Sequence, residues 1–370
     1  MCKKTKVMIL LAQLNAGGIQ KFAIDLAQNL DKEKFETCIL SLMPRTGTVF
    51  EQKAAEYGLH VRYLHKRKGM DPAVIPQLYR AIRQYQPDVI HANQRTLTYA
   101  LLPIRLLGIQ NVLYTVHNLA EHDASGIHKQ LLRLANTRYG IPLVAISDIC
   151  KRSISQVYGI PAEKIPCIYN GVDVTQFAPL PTATQLPTAT QKDIDFLAVG
   201  RMSAQKNYPL LLSAFKHVHG LYPTVRLTIL GDGEKRAEIE AFCQTNGLQD
   251  FVDMPGNVSN VCDYMRRAKV FLMSSDYEGL PITVLEAMAA ALPVISTRAG
   301  GVPDIVQDGV NGRLAAIGDP AGLAEAMVES IQKPERYHAY GQNSRALSLQ
   351  YSVTHCADEY SKLYLSLCGS

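Results

Sequence analysis

The strongest constraint on the fold is a repeated alternation of short apolar runs with amphipathic helical stretches along the chain. The runs are a few residues long and rich in Val, Ile and Leu. The stretches between them place apolar residues three or four positions apart, as at Phe22, Leu26 and Leu30. Continuous apolar runs are typical of parallel strands buried on both faces. The alternation therefore predicts an α/β fold in which helices cover parallel sheets.

The apolar runs predict the strands individually. They are residues 6–14, 37–43, 61–65, 88–93, 111–117, 142–147, 194–200, 225–231, 269–273 and 292–297.

The chain is long enough for two domains, because single hydrophobic cores usually stop growing below 370 residues. Residues 180–191 read LPTATQ twice and lack apolar periodicity, which is typical of a solvated linker. We predict a first domain at 1–178, a linker at 179–192 and a second domain at 193–352. Both are predicted to be doubly wound and Rossmann-like, with their carboxyl edges facing across a cleft. The last helical stretch, 353–367, could pack on either domain.

Charge is unevenly divided between the halves. Lys and Arg exceed Asp and Glu by nine in residues 1–178 and fall short by four in the remainder. A basic first half favours an anionic partner, either a phospholipid surface or a phosphorylated acceptor. Nucleic acid is disfavoured, since no nucleic-acid-binding motif occurs. The cysteines show no C-x-x-C pair and the apolar runs are short, which favours a cytoplasmic protein with reduced thiols.

The segment EGLPITVLE places Glu278 and Glu286 eight positions apart around a predicted helix start. Pro281 suits the first turn of a helix, and a helix N-terminus presents unpaired N–H groups that attract phosphate. One interpretation is a capping Glu278 and a solvated Glu286. However, the loop follows a predicted strand, and open α/β sheets bind ligands at this edge. Two carboxylates flanking a phosphate seat favour a sugar nucleotide as the ligand.

Cations and glycines follow two other predicted strands. Arg201 and Lys206 come after the strand at 194–200, where they could neutralise a diphosphate. Gly17 and Gly18 follow the first strand and allow close approach of a ligand, although a plain tight turn is an equal alternative. The pair Asp193 and Asp195 indicates an exposed strand start rather than a metal site. No metal and no cofactor are therefore expected.

Taken together, these motifs resemble those of the retaining, GT-B-fold glycosyltransferases of family four. The resemblance extends over nearly the whole chain, and its motifs occur in the expected order. They are Gly17-Gly18, Thr115-Val116-His117, Asn170-Gly171-Val172-Asp173, Gly200-Arg201 with Lys206-Asn207, Gly231-Asp232-Gly233, Glu278 to Glu286 with Ala287-Met288-Ala289, Gly300-Gly301-Val302-Pro303-Asp304, and Gly309-Val310-Asn311-Gly312. Asn207 stands where the family often has glycine, and Asp304 where it often has glutamate.

The resemblance implies a role for each candidate residue. Glu278 would contact hydroxyls of the donor sugar and Glu286 the ribose hydroxyls. Arg201 and Lys206 would hold the diphosphate. The remaining implied positions are the N–H groups of Gly279 and Leu280 at the diphosphate, Gly17 and Gly18 in the donor site, and His117 near the reacting sugar.

The function implied is transfer of a hexosyl unit from a nucleoside diphosphate sugar, UDP being favoured, with retention at the anomeric carbon. The acceptor would be a glycan or lipid-linked glycan in bacterial envelope, capsule or polysaccharide assembly. Residues 127–139 combine basic and apolar side chains, so peripheral contact with the anionic inner membrane face and ordinary packing are balanced alternatives. Alternative functions are a non-catalytic glycan-binding or partner-binding protein of this fold and a sugar-nucleotide epimerase. A dehydrogenase is disfavoured because no G-x-G-x-x-G occurs.

Overall fold

The structure is a computed structural model that describes residues 3–15, 17–123, 126–179 and 192–369. The chain divides into two compact units. The first unit comprises Met1–Gly171 and Val353–Ser370, and the second comprises Val172–Ser352. Most of the linker predicted at 179–192, including the repeat, lies outside the described residues, so its interpretation stays a prediction.

Each unit contains one parallel sheet. In the first unit the strands are β1 (Thr5–Leu11), β2 (Phe35–Ser41), β3 (His60–Tyr63), β4 (Val89–Asn93), β5 (Val112–Val116) and β6 (Leu143–Ala145). In the second they are β7 (Ile194–Val199), β8 (Leu227–Leu230), β9 (Val252–Gly256), β10 (Ala268–Met273), β11 (Val294–Thr297) and β12 (Gly312–Ala315). The predicted strands are all present at shifted boundaries, while β9 and β12 were not predicted.

Helices connect the strands, and a final helix closes the chain. They are α1 (Gly18–Asn29), α2 (Val49–Glu56), α3 (Val74–Tyr85), α4 (Leu97–Leu106), α5 (Ala120–Asp123), α6 (Gly126–Tyr139), α7 (Asp148–Tyr158), α8 (Tyr208–Leu221), α9 (Arg236–Thr245), α10 (Val261–Arg267), α11 (Ile282–Ala289), α12 (Val302–Ile305), α13 (Pro320–Gln332), α14 (Pro334–Ser348) and α15 (Val353–Cys368).

The two sheets share one strand order. The first is β3-β2-β1-β4-β5-β6, and the second, written in the same sense, is β9-β8-β7-β10-β11-β12. This is the doubly wound order, in which the connections reverse direction between the third and fourth positions. Ligands of such sheets bind at the carboxyl ends of the two strands flanking that point. The relevant pairs here are β1 with β4 and β7 with β10.

Burial explains why the apolar runs became central strands. Phe196 and Ala198 of β7 pack into a core with Leu211 and Phe215 of α8. Leu197 points to the opposite face because strand side chains alternate, and it is also fully buried. Both faces of the sheet are therefore covered, as the sequence predicted.

The boundary between the units differs from the prediction. It lies at Gly171 rather than at residue 178, because arginines of the second unit bind the intervening backbone. Arg345 Nη1 donates to the carbonyl oxygen of Val174 at 2.7 Å, and Arg266 Nε to that of Ala178 at 3.1 Å. Helix α15 follows the second unit in the chain but packs on α1 and β4 of the first.

Within the described residues, no helix combines the length and apolar character needed to cross a membrane. Across the same ranges, no group of three or more His, Cys, Asp or Glu side chains is arranged to hold a metal ion. Asp193 pairs with Arg267 at 2.6 Å and Asp195 with Lys269 at 2.6 Å, so both carboxylates serve the start of β7.

Candidate active site

The loops after β7 and β10 meet in an ion pair at the switch point of the second sheet. Lys206 Nζ lies 2.6 Å from Glu278 Oε1, and their side chains are 16% and 8% exposed. Ser275 Oγ donates to the same carboxylate oxygen at 2.7 Å. Glu278 Oε2 has no hydrogen bond within the described ranges, and Lys206 Nζ has no other partner there. An ammonium group carries three donors, so the pair retains both donor and acceptor capacity for a ligand.

Backbone contacts hold the Glu278 loop against its neighbours. Gln205 Nε2 donates to the carbonyl oxygen of Tyr277 at 2.8 Å, and Thr297 Oγ1 donates to that of Ser275 at 2.5 Å. Gly300 adopts φ +51°, and a Cβ atom there would lie 1.7 Å from the carbonyl oxygen of Glu278. The glycine of the 300–304 motif therefore permits a close approach that no other residue allows.

The turn that carries Lys206 explains the asparagine in the position where the family often has glycine. Asn207 has φ +44°, in the left-handed region that glycine and asparagine tolerate best. Its Oδ1 accepts from the Leu210 N–H at 3.3 Å and caps α8, while Nδ2 donates to Asp276 Oδ1 at 2.9 Å. Asparagine thus supplies the backbone conformation and two hydrogen bonds that glycine lacks.

Burial also keeps Tyr208, which lies near the Lys206–Glu278 ion pair, in its protonated form. Tyr208 is 3% exposed and its hydroxyl donates to the carbonyl oxygen of Gly200 at 3.0 Å. Burial, together with the nearby charge of Glu278, raises the pKa of Tyr208. The hydroxyl therefore remains a donor that ties the start of α8 to the end of β7.

Arg201 lies in the same loop as Lys206 but pairs elsewhere. Its Nη2 is 3.0 Å from Glu234 Oε2, and the side chains are 67% and 53% exposed. Solvent screens such an exposed pair, which makes it weak, so a stronger anion can displace Glu234. Glu234 was not predicted from the sequence, although its place after β8, at the same edge of the sheet, points to this site.

The remaining predicted positions of the second unit surround α11. Helix α11 begins at Ile282, directly after Pro281, and Glu286 lies more than one turn inside it. Glu286 is 5% exposed and Leu280 4% exposed, so the alternative of a solvated Glu286 is wrong. Gly279 is also buried, and its carbonyl oxygen accepts from the Gly301 N–H at 3.1 Å.

In the first unit, the glycine pair opens α1. Gly18 is the first residue of α1 and Gly17 precedes it in an extended conformation, with φ 173°. Gly17 therefore does not adopt the positive φ angle for which glycine is often needed in turns. A Cβ atom on Gly17 would lie 2.6 Å from Gln20 Oε1, so the small residue leaves room for that side chain.

His117 follows β5 at the carboxyl edge of the first sheet. Its Nε2 lies 2.7 Å from Asn93 Oδ1, and its ring packs edge-on against Phe22 with centroids 5.0 Å apart. Burial lowers the pKa of His117 to about 3, so the ring is neutral at ordinary pH. Asn93, at the end of β4, was not predicted as a site residue. The apolar run predicted the strand itself, and a single polar residue at its end carries no further signal.

A buried polar network braces the two strands that carry these residues. His91 Nδ1 lies 2.7 Å from the Tyr364 hydroxyl and His91 Nε2 lies 2.8 Å from Thr115 Oγ1. Thr115 Oγ1 in turn is 3.0 Å from the Tyr360 hydroxyl. Burial holds the pKa of His91 well below its usual range. Helix α15 therefore binds β4 and β5 two residues before Asn93 and His117.

Comparisons with known proteins agree with this architecture. Residues 16–176 match the family described as "Glycosyltransferase Family 4", and residues 185–347 match "Glycosyl transferases group 1". A phosphatidylinositol N-acetylglucosaminyltransferase subunit of Arabidopsis thaliana is 28% identical, over 88% of this chain and 74% of the relative.

Two bacterial relatives are similar at comparable identity. The UDP-Gal:alpha-D-GlcNAc-diphosphoundecaprenol alpha-1,3-galactosyltransferase of Escherichia coli is 27% identical over 68% of each chain. A putative colanic acid biosynthesis glycosyltransferase of E. coli K12, WcaL, is 30% identical over 53% of this chain and 48% of its own.

Among solved structures, Anabaena HepE in complex with UDP and glucose has a similar fold. It superimposes with a TM-score of 0.86 at 18% identity, covering 98% of this chain and 100% of that chain. At this identity the likeness shows the GT-B fold alone.

Proposed function

Because the chain belongs to the group 1 glycosyltransferases of family 4, we propose that it transfers a hexosyl unit from a UDP-sugar to an acceptor hydroxyl with retention at the anomeric carbon. The acceptor is a glycan or lipid-linked glycan of bacterial polysaccharide assembly. The observation that carries the proposal is the Lys206–Glu278 pair at the switch point of the second sheet.

The pair suits the junction between a sugar and its diphosphate. The unbonded Oε2 of Glu278 accepts from a sugar hydroxyl, and the remaining donors of Lys206 bind phosphate oxygens. Charge-assisted bonds of this kind contribute about 1.5–3 kcal/mol each. Arg201 exchanges Glu234 for the diphosphate, and the N–H groups at the start of α11 add to the positive potential.

Catalysis follows from the charge that develops on the leaving group. The bond from the anomeric carbon to the diphosphate oxygen breaks, and the electron pair stays on that oxygen. Lys206 and Arg201 stabilise this charge because they are already in place when it forms. The leaving phosphate oxygen takes the proton of the acceptor hydroxyl as the new glycosidic bond forms. The cations remove the requirement for a divalent metal.

The choice of donor and acceptor rests on what the relatives and neighbours are named for. HepE was solved with UDP and glucose, and the E. coli relative is named for UDP-Gal and a diphosphoundecaprenol acceptor. The plant relative is named for phosphatidylinositol. These names favour UDP over GDP and an acceptor carried on a lipid.

A basic and apolar surface on α6 supports peripheral contact with an anionic membrane. Ile127 is 76% exposed and Leu134 47% exposed, while Lys129 and Arg133 of the same helix line a cavity of about 330 Å³. Such a surface binds anionic lipid by apolar insertion and charge together. Co-sedimentation should be stronger with phosphatidylglycerol vesicles than with phosphatidylcholine vesicles. Equal sedimentation with both kinds of vesicle would contradict the proposed contact with an anionic membrane.

The deciding experiment is a donor panel. UDP- and GDP-linked glucose, galactose and N-acetylhexosamines are incubated with the purified protein, with and without lipid-linked diphosphate glycan acceptors, in EDTA. We expect nucleotide release and sugar transfer from one UDP-sugar, with NMR showing the same anomeric configuration in donor and product. Altered donor without acceptor would indicate an epimerase, and UDP binding without turnover a non-catalytic protein. Loss of all transfer in EDTA would exclude the metal-free mechanism.

A further inference from the structure

Asn93 is a buried asparagine whose side chain faces the histidine of the first unit. It is the last residue of β4 and is fully buried. Its Nδ2 donates to two carbonyl oxygens, those of Leu10 and His91, at 3.3 Å each. The reversed carboxamide would place Oδ1 against these two acceptors, which repel it. The two carbonyls therefore fix which end of the amide is which.

This orientation determines the tautomer of His117. Asn93 Oδ1 is an acceptor only, and it lies 2.7 Å from His117 Nε2. Nε2 must then carry the proton. In a neutral ring the other nitrogen, Nδ1, is an acceptor, and no contact with it occurs within the described residues.

The surroundings of His117 keep the ring neutral. Burial lowers its pKa to about 3, and Phe22 of α1 offers it no charge. On β4, the neighbouring His91 is itself neutral because burial lowers its pKa. The carboxyl group of Asp123 on α5 accepts from the backbone N–H of His117, and burial raises its pKa to about 7. Within the described residues, no charged side chain of α1, β4 or α5 forms an ion pair with the His117 imidazole.

We propose that Asn93 is a positioning residue that holds His117 in the Nε2–H tautomer, so that Nδ1 accepts a hydrogen bond from a sugar hydroxyl. This inference rests on the proposed function for the identity of the ligand. It assigns His117 an orienting role in which the ring neither donates to the diphosphate nor transfers a proton. A hydroxyl that donates to Nδ1 is fixed in direction, and loss of such alignment costs about 10²-fold in rate.

The tautomer can be measured in the unaltered protein. Long-range proton–nitrogen correlation spectra of protein labelled with ¹⁵N-histidine distinguish protonated from unprotonated ring nitrogens. The His117→Gln variant assigns the signal. We expect a protonated Nε2 and an unprotonated Nδ1 that do not change between pH 8 and pH 5. A protonated Nδ1, or titration near pH 6.5, would overturn the assignment of Asn93.

The Asn93→Asp variant tests the consequence for turnover. A carboxylate beside Nε2–H favours the imidazolium ion and raises the pKa of His117. Below that raised pKa, Nδ1 carries a proton and no longer accepts. We expect kcat to fall as pH is lowered from 8 to 5 in the variant and to remain flat with respect to His117 in the wild type. An unchanged pH profile in a folded variant whose His117 spectrum shows the imidazolium ion at low pH would contradict the role.

Asn136→Asp is the matched control. Asn136 lies in the same unit and donates to the Ile141 carbonyl oxygen at 3.0 Å, and within the described residues it has no hydrogen bond to a histidine. It should leave the pH profile and the His117 signal unchanged. If Asn93→Asp does not fold, the wild-type spectrum still decides the tautomer. If the protein transfers no sugar, the spectrum also separates failure of the proposed function from failure of this inference.

Discussion

Among single residues, the proposed chemistry depends most on the largely buried ion pair between Lys206 and Glu278. Lys206 and Glu278 are 72 positions apart, and each alone has the ordinary interpretation of a surface charge. The sequence located both at the carboxyl edge of one sheet, since each follows a strand. It could not predict that they pair, because that contact depends on how the loops after β7 and β10 fold against each other.

Replacing Lys206 tests the electrostatic role of the pair. Lys206→Ala should lower kcat by about 10²–10³-fold, as observed for other preorganised stabilisers of a developing anion. Steady-state turnover of the UDP-sugar found in the donor panel measures the effect. Lys216→Ala is the control, because Lys216 lies nearby in sequence on α8 and, within the described residues, its ammonium group bonds only to Asn246. Full turnover by folded Lys206→Ala would remove the lysine from the mechanism.

The partner of His117, Asn93, could not be predicted from the sequence either. The sequence singled out His117 by its place after a strand, but the partner that sets its tautomer lies on another strand, 24 positions earlier. An amide at a strand end has several possible partners. Only the packing of β4 beside β5 selects one of them.

At the scale of elements, the strands that escaped prediction are edge strands. β9 and β12 lie at the two ends of the second sheet. β9 reads VDMPG and exposes Asp253 and Pro255, as edge strands tolerate. Central strands such as β7 and β10 are apolar on both faces and were found directly. In the second sheet, sequence patterning therefore predicted the middle better than the borders, whereas in the first sheet it also predicted both edge strands, β3 and β6.

The contact between the loops after β10 and β11 can be tested through a glycine. Gly300→Ala would place a methyl group against the Glu278 carbonyl, whereas Gly318, at φ +78°, has open space around it. Gly318→Ala should lower the free energy of unfolding by about 1–2 kcal/mol, the usual cost of the left-handed conformation. Gly300→Ala should cost a further ~1–3 kcal/mol through overpacking and should weaken UDP-sugar binding.

Urea denaturation and calorimetric titration measure the two effects. Equal stability of the Gly300→Ala and Gly318→Ala variants, together with unchanged binding, would show that this contact does not position Glu278.

Helix α15 offers a test of how the first unit is braced. Tyr364→Phe removes the hydroxyl bonded to His91 Nδ1 and leaves a fully buried nitrogen without a partner. Such a loss costs about 1–3 kcal/mol. Tyr79→Phe is the control, because the Tyr79 hydroxyl makes no hydrogen bond within the described ranges. Chemical denaturation of both variants should show a lower midpoint only for Tyr364→Phe, and equal midpoints would disprove the bracing.

At the scale of the whole molecule, each unit has its own sheet and its own switch point. The sequence predicted two doubly wound sheets because the same alternation occurs on both sides of the repeat. It placed the boundary at 178 instead of 171 because the repeat that marks the linker begins only at residue 180. What assigns them to the second unit is their hydrogen bonding to Arg345 and Arg266, which are distant in sequence.

The division of ligand contacts between the units gives a prediction for the intact chain. UDP alone should slow hydrogen exchange in the second unit, at residues 200–207 and 274–282, because the proposed diphosphate contacts are there. The intact UDP-sugar should in addition slow exchange around Gly17 and His117, since these residues are proposed to lie near the sugar. At a hundredfold excess over Kd, binding should add about 2.7 kcal/mol of stability. Mass-spectrometric exchange with Lys206→Ala as the control measures this, and protection by UDP confined to the first unit would reverse the assignment of the nucleotide site.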